Sequence, residues 1–106
     1  MKNILVVEDS KFFQNVIENE LKELEYNITI ASSIKEAEEI LNKNSFDLIT
    51  LDVELPDGLG YDLCRKLKND PYYNNTQIII VTSSSDQESR KKSYEAGALV
   101  YIHKNN

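Results

Sequence analysis

Six residues of this sequence join reactive side chains to a common setting. Glu8 and Asp9 follow the apolar run Ile4-Leu5-Val6-Val7, Asp52 closes FDLITLD, Thr82 and Ser83 close QIIIVTS, and Lys104 follows LVYIH. Each stands directly after a segment with the composition of a buried strand. If those strands lie parallel in one open sheet, their carboxyl ends share an edge, which is where ligands of such sheets bind. Three carboxylates, two hydroxyls and one ammonium then meet at one mouth. Packed acids repel, which raises the proton affinity of at least one of them unless a cation neutralises the group. A hard divalent cation does this, and Mg²⁺ typically takes one or two carboxylates with waters and phosphate oxygens. Asp9 and Asp52 read as its carboxylate ligands. An ammonium cannot ligate a metal, so Thr82 and Lys104 suit the oxygens of a phosphoryl group instead.

The elements that must position these residues are legible from pattern. Asn3 to Glu8 lacks polar alternation, as in a strand covered on both faces. After Ser10, a plausible N-cap, Phe12, Phe13, Val16, Ile17, Leu21 and Leu24 recur along one side of a helix. Asn27 to Ala31 reads as a second strand, and Ser33-Ile34-Lys35-Glu36 as a capping box for a helix that turns Ile34, Ala37, Ile40 and Leu41 inward. Phe46 to Asp52 is a third strand. The segment VELPDGLGYD, with Pro56, Gly58 and Gly60, reads as a turn before a helix through Leu63, Cys64 and Leu67 that stops near Asp70-Pro71. Gln77 to Thr82 is a fourth strand. Ser85-Asp86-Gln87-Glu88 reads as a second capping box, for a helix ending near Ala96 with Gly97 left-handed beyond it, and Leu99 to Ile102 is a fifth strand. Five strands alternating with four helices predict a doubly wound, mostly parallel α/β sheet.

Length and composition bound the rest. The 106 residues have room for one domain and one core. No apolar run approaches the roughly 18 residues of a membrane-spanning helix, and the four-residue run after Met1-Lys2-Asn3 is too short for a secretory signal. One cysteine, Cys64, allows no internal disulfide and fits a reducing cytoplasm. A formal charge of −6 repels phosphate backbones and argues against direct nucleic-acid binding.

Taken together, VVEDS, LDVELPDGLGYDLCR, IIIVTSSS and AGALVYIHK, in this order of strands and helices, resemble the receiver domain of bacterial two-component response regulators from residue 2 to residue 104. The resemblance implies a flavodoxin-like sheet in the order 2-1-3-4-5. It implies that Asp52 accepts a phosphoryl group from the phosphohistidine of a sensor histidine kinase or phosphotransfer protein. Mg²⁺ is implied on Asp9 directly, on Glu8 largely through water, on Asp52 and on the backbone carbonyl of Glu54. Thr82 matches the switch hydroxyl, Ser83 the small residue whose backbone N–H faces the phosphoryl group, Lys104 the ammonium, and Tyr101 the aromatic that turns inward when Thr82 moves. Such domains are signalling phosphoacceptors rather than enzymes acting on a separate substrate.

The match departs at its end. Receivers carry a proline after the lysine and a fifth helix, whereas here Lys104-Asn105-Asn106 follows. The expectation is therefore a receiver domain over 1–106 that is truncated at its C-terminus or completed by a partner chain. Apolar surface is then expected on strands one, three or five. An effector domain beyond residue 106 and a homodimer are both compatible with the resemblance.

Blander readings apply elsewhere. His103 has no second histidine or thiol at ligand spacing and reads as an edge or surface residue. Cys64 reads as a small buried hydrophobe. Tyr72 and Tyr73 lack the basic groove of a base-stacking platform and read as loop packing. Glu54 and Ser84 flank the site and tune rates. Two other functions compete. An aspartate-based phosphohydrolase wants an acid two residues after the nucleophile with threonine following, but here Leu55 and Pro56 follow Glu54. A phosphorylation-independent interaction module usually loses an acid, the acceptor or the lysine, and all are present.

Overall fold

The computed structural model describes residues 2–83 and 87–104. Strands β1 (Asn3–Val7), β2 (Asn27–Ala31), β3 (Leu48–Leu51), β6 (Gln77–Thr82) and β7 (Val100–His103) form one parallel sheet in the order β2-β1-β3-β6-β7. Counted along the chain, these sheet strands give the expected order 2-1-3-4-5. Four α-helices lie among the described residues: α1 (Lys11–Leu21), α2 (Ile34–Leu41), α3 (Gly60–Lys68) and α4 (Gln87–Glu95). Between β3 and α3 the sequence suggests only a turn. There β4 (Glu54–Leu55) and β5 (Gly58–Leu59) pair antiparallel as a small hairpin.

The sheet forms where branched apolar residues run without interruption, and its two faces divide the helices. Right-handed crossovers place a helix on a face set by the direction of travel. Helix α1 leads from β1 outward to β2, so it lies opposite α2, α3 and α4, whose crossovers run the other way. The core sits on the three-helix side, where Leu5, Val7, Ile49, Leu51, Ile78 and Ile80 meet Ala37, Leu41, Leu63, Cys64, Leu67 and Ala96. On the α1 side, Ile4 and Val6 are buried, but Val100 and Ile102 of β7 stay 37% and 44% exposed. The expected open apolar surface is therefore on the last strand and not on the first.

Helix α1 departs from its predicted stripe. Phe12 is 65% exposed and Leu24 55%, while the residue of α1 that is buried is the polar Gln14. Leu24 lies in a 3₁₀ turn, Lys22–Leu24, that ends at Glu25 with φ 57°, so the 3.6-residue period stops at Leu21. Gln14 is tolerated inside because its amide donates to the Glu8 carbonyl and to Ser32 Oγ.

Caps set the helix starts. Ser10 Oγ accepts from Phe13 N–H at 3.4 Å, and Ser33 Oγ from Glu36 N–H at 3.1 Å. The predicted box is displaced by one residue, because the Glu36 carboxylate reaches Ser32 N–H and not Ser33. The Ser85-Asp86 box falls outside the described residues. Gly97 has the predicted left-handed conformation, with φ 101°. Helix α3 ends at Lys68, and Asp70 caps a 3₁₀ turn, Pro71–Tyr73, by accepting from Tyr72 N–H.

The β4–β5 hairpin is tied to α2 from a distance. Asp57 in its loop accepts from Ile34 N–H at 2.8 Å and Lys35 N–H at 2.9 Å, and these two bonds hold its carboxyl below the usual carboxylate range. Asp57→Ala removes acceptors from two orphan donors of a helix start. Hydrogen exchange at Ile34 and Lys35 is expected to speed up by about tenfold. Unchanged exchange there contradicts the tie.

Candidate functional site

The order of the sheet reverses between β1 and β3, and the crevice at their carboxyl ends is the ligand position of such folds. Val7 pairs with Leu51, so the residues that follow, Glu8 and Asp52, leave the sheet side by side. Their backbones are fixed by bonds from Glu8 N–H to the Ala31 carbonyl at 2.9 Å and from Asp52 N–H to the Val7 carbonyl at 3.0 Å. From the far edge, Lys104 N–H donates to the Thr82 carbonyl at 2.7 Å, which aims its side chain at the same crevice.

Every carboxylate oxygen of Glu8 and Asp52 has a neighbour. Glu8 Oε2 accepts from Ser10 N–H at 3.0 Å, and Glu8 Oε1 lies 2.6 Å from Lys104 Nζ. Asp52 Oδ1 accepts from Val53 N–H at 2.8 Å, and Asp52 Oδ2 lies 3.4 Å from the same ammonium. The Lys104 side chain is only 6% exposed, so these charges are largely withdrawn from water. Asp9 is exposed at the rim. One carboxylate oxygen from each of Glu8, Asp9 and Asp52 lies within 4.8 Å of the others.

This donor set fits a hard divalent cation. It offers three anionic oxygens of the kind Mg²⁺ and Mn²⁺ accept, and its charge is not balanced by the single ammonium. The imbalance registers on Asp52, whose carboxyl is raised to about 6, first by burial and then by the charge of Glu8, with Lys104 and the Val53 N–H pulling the other way. The folded carboxyl thus holds its proton more tightly than the unfolded one. The metal-free fold loses stability as pH rises from the unfolded carboxyl range through about 6. Asp52→Asn is expected to flatten that slope and to raise neutral-pH stability by on the order of 1–2 kcal/mol, after allowance for screening at the open side of the site. Urea unfolding across this pH range, without divalent cations, checks it; an undiminished slope in the variant contradicts the origin assigned to it.

Among the other predicted residues, Thr82 is 1% exposed at the end of β6, and Ser83 after it is exposed. Tyr101 is half-buried and packs against the core on the α4 side. Glu54 is exposed at the start of the hairpin, and Ser84 lies outside the described residues. His103 is exposed on the edge strand with Nε2 3.0 Å from the Ser83 carbonyl oxygen. The Cys64 thiol is fully buried, which pushes it up to about 11 and makes it a poor nucleophile at neutral pH. Tyr73 packs against the core, and Tyr72 stands edge-on to it with its hydroxyl 3.2 Å from Ser45 Oγ, as loop packing requires.

Sequence reasoning missed two residues that hold the site. Gln14 fixes the Glu8 carbonyl, and the ring of Phe13 lies under Lys104 Nζ, 4.4 Å from the ring centroid. A polar residue inside an apolar stripe is a readable sign for Gln14. Phe13 carries no such sign, since a ring on that stripe reads as core.

The chain belongs to the response regulator receiver domain family, whose model it matches over residues 4–106. Receiver domains are signalling phosphoacceptors. The transcriptional regulatory protein CrdR of Helicobacter pylori is 31% identical over 103 residues, covering 97% of this chain and 48% of that protein. The Mn²⁺-bound form of the response regulator Rcp1 superposes with a TM-score of 0.92 at 26% identity, covering 100% of this chain and 83% of the other. The BeF₃-activated DrrB receiver domain superposes with a TM-score of 0.86 at 34% identity, covering 100% and 86%. The chain spans about half the length, or less, of the curated relatives it matches. No helix among the described residues is long and apolar enough to cross a membrane.

Proposed function

We propose that residues 1–106 act as one receiver domain in which Asp52 takes a phosphoryl group from the phosphohistidine of a sensor histidine kinase or phosphotransfer protein, in a Mg²⁺-dependent reaction in the cytoplasm. The observation that carries this reading is the placement of the Asp52 carboxylate at the β3 end, beside the acidic pair and in reach of the Lys104 ammonium that it shares with Glu8. Asp52 Oδ1 is held by the Val53 N–H, which leaves Oδ2 as the attacking atom. An O–P bond forms to Oδ2 as the P–N bond of the donor breaks, and the imidazole leaves with the bonding pair. Lys104, 3.4 Å from Oδ2, meets an equatorial oxygen as the bond forms. Asp9, Asp52, the Glu54 carbonyl and, through water, Glu8 would hold Mg²⁺, which would supply the remaining charge neutralisation. Water later cleaves the acyl phosphate, releasing inorganic phosphate and restoring Asp52.

Thr82 and Ser83 offer a hydroxyl and a backbone N–H to the phosphoryl oxygens, and Tyr101 responds to the movement of Thr82. Phosphorylation favours one of two arrangements of these segments and so shifts an output or dimerisation surface. The metal half of this reading is tested by titrating Mg²⁺ into the unphosphorylated chain and following backbone amide shifts. Shifts at Glu8, Asp9, Asp52 and Val53 that weaken at least about tenfold in affinity in Asp9→Asn support it. Absence of saturable shifts in the wild-type chain favours a phosphorylation-independent interaction module instead.

A further inference from the structure

Among the described residues the Lys104 ammonium makes three contacts, and two of them compete. Glu8 Oε1 is at 2.6 Å and Asp52 Oδ2 at 3.4 Å, so the cation leans toward the carboxylate that does not react. The third contact is the ring of Phe13, with Nζ 4.4 Å from its centroid. That ring is itself fixed. The Phe13 N–H is tied to the Ser10 cap at 3.4 Å, and Phe12 stands against the ring edge-to-face, at 5.2 Å and 83°. A ring face attracts a cation through its quadrupole, most strongly where water is excluded, yet carries no net charge and no strong acceptor. The Lys104 side chain, 6% exposed, meets that condition.

We infer that Phe13 is a positioning residue for phosphoryl transfer: its ring confines the Lys104 ammonium to the gap between Glu8 and Asp52, where it can pass to an incoming phosphoryl oxygen without leaving a stabilising contact. The inference rests on Asp52 being the phosphoacceptor and adds a residue to that site. A third carboxylate in place of the ring would hold the ammonium back and repel the donor. An aliphatic side chain would fill the space without attracting the cation, which would then settle on Glu8.

The test is a series at position 13 in the full chain: phenylalanine, tyrosine, leucine, and site-specifically incorporated pentafluorophenylalanine, whose ring face no longer attracts cations. Two readouts are taken, the Lys104 ε-methylene proton shift without metal or phosphodonor, and the rate of phosphorylation by acetyl phosphate at saturating Mg²⁺. Phenylalanine and tyrosine are expected to shift the Lys104 protons upfield through the ring current and to support similar rates. Leucine and the fluorinated ring are expected to slow phosphorylation by about tenfold with the thermal midpoint of the fluorinated chain retained. Equal rates for phenylalanine and its fluorinated counterpart, or no ring-current shift in the wild-type chain, overturn the inference. A wild-type chain that shows the ring-current shift but takes up no phosphoryl group overturns the Asp52 reading, and the positioning role falls with it.

Discussion

Gly60→Ala is expected to cost the fold about 3–5 kcal/mol, in the range reserved for severe overpacking. A Cβ on Gly60 would lie 2.0 Å from the Asp52 carbonyl oxygen, 3.0 Å from its carbon and 3.2 Å from Leu51 Cγ. The obstacle is backbone, so no rotamer relieves it. The chain between Val53 and Gly60 is also closed by a bond from Gly60 N–H to the Val53 carbonyl at 2.7 Å. Making room means opening that loop, and with it the turn that presents Asp52 and Glu54. Urea unfolding measures the loss, and a cost under about 1 kcal/mol contradicts this packing. Any folded fraction is expected to bind Mg²⁺ poorly, because the displaced atoms belong to Asp52, one of the three carboxylates that could hold a metal ion.

Lys104→Met is expected to slow phosphorylation by acetyl phosphate by about 10²- to 10³-fold, the usual effect of removing one preorganised charge from a developing anionic centre. Methionine keeps much of the aliphatic stem but removes the cation that Glu8 and Asp52 share and that lies over the Phe13 ring. Two mostly buried carboxylates then face each other without their counter-charge, which costs stability as well as rate. The Asp52 carboxyl, already raised to about 6 with Lys104 in place, rises further when that lowering influence goes. Lys104→Arg restores charge without the compact ammonium and is expected to recover only part of the rate. A Lys104→Met chain phosphorylated within about threefold of the wild type would remove Lys104 from the mechanism.

The strands and the meeting of Glu8, Asp9, Asp52 and Lys104 were legible from local pattern and the rule for parallel sheets, while the strand order came from the family resemblance. Apolar runs mark buried strands, and a parallel sheet brings all their carboxyl ends to one edge. What the sequence hid depends on contacts between distant segments. Asp57 sits in a stretch full of turn residues, and nothing near it announces that its two partners lie 22 and 23 residues upstream, at the start of α2. Gly60 was legible as turn punctuation but not as the residue that clears the Asp52 carbonyl, which only the hairpin geometry reveals. Phe12 and Val16 follow helical spacing, yet 65% and 38% of their surfaces remain exposed, because spacing defines a stripe and not what covers it. Phe13 belongs to the same stripe and turned out to face a cation.

The measurement that tests the central claim most directly is intact mass after incubation with Mg²⁺ and acetyl phosphate, for the wild-type chain and for Asp52→Asn. A gain of one phosphoryl group, lost on chelation of Mg²⁺ and absent in the variant, is the predicted result. A wild-type chain that gains nothing, or an Asp52→Asn chain that gains as much, contradicts the assignment of Asp52 as the phosphoacceptor.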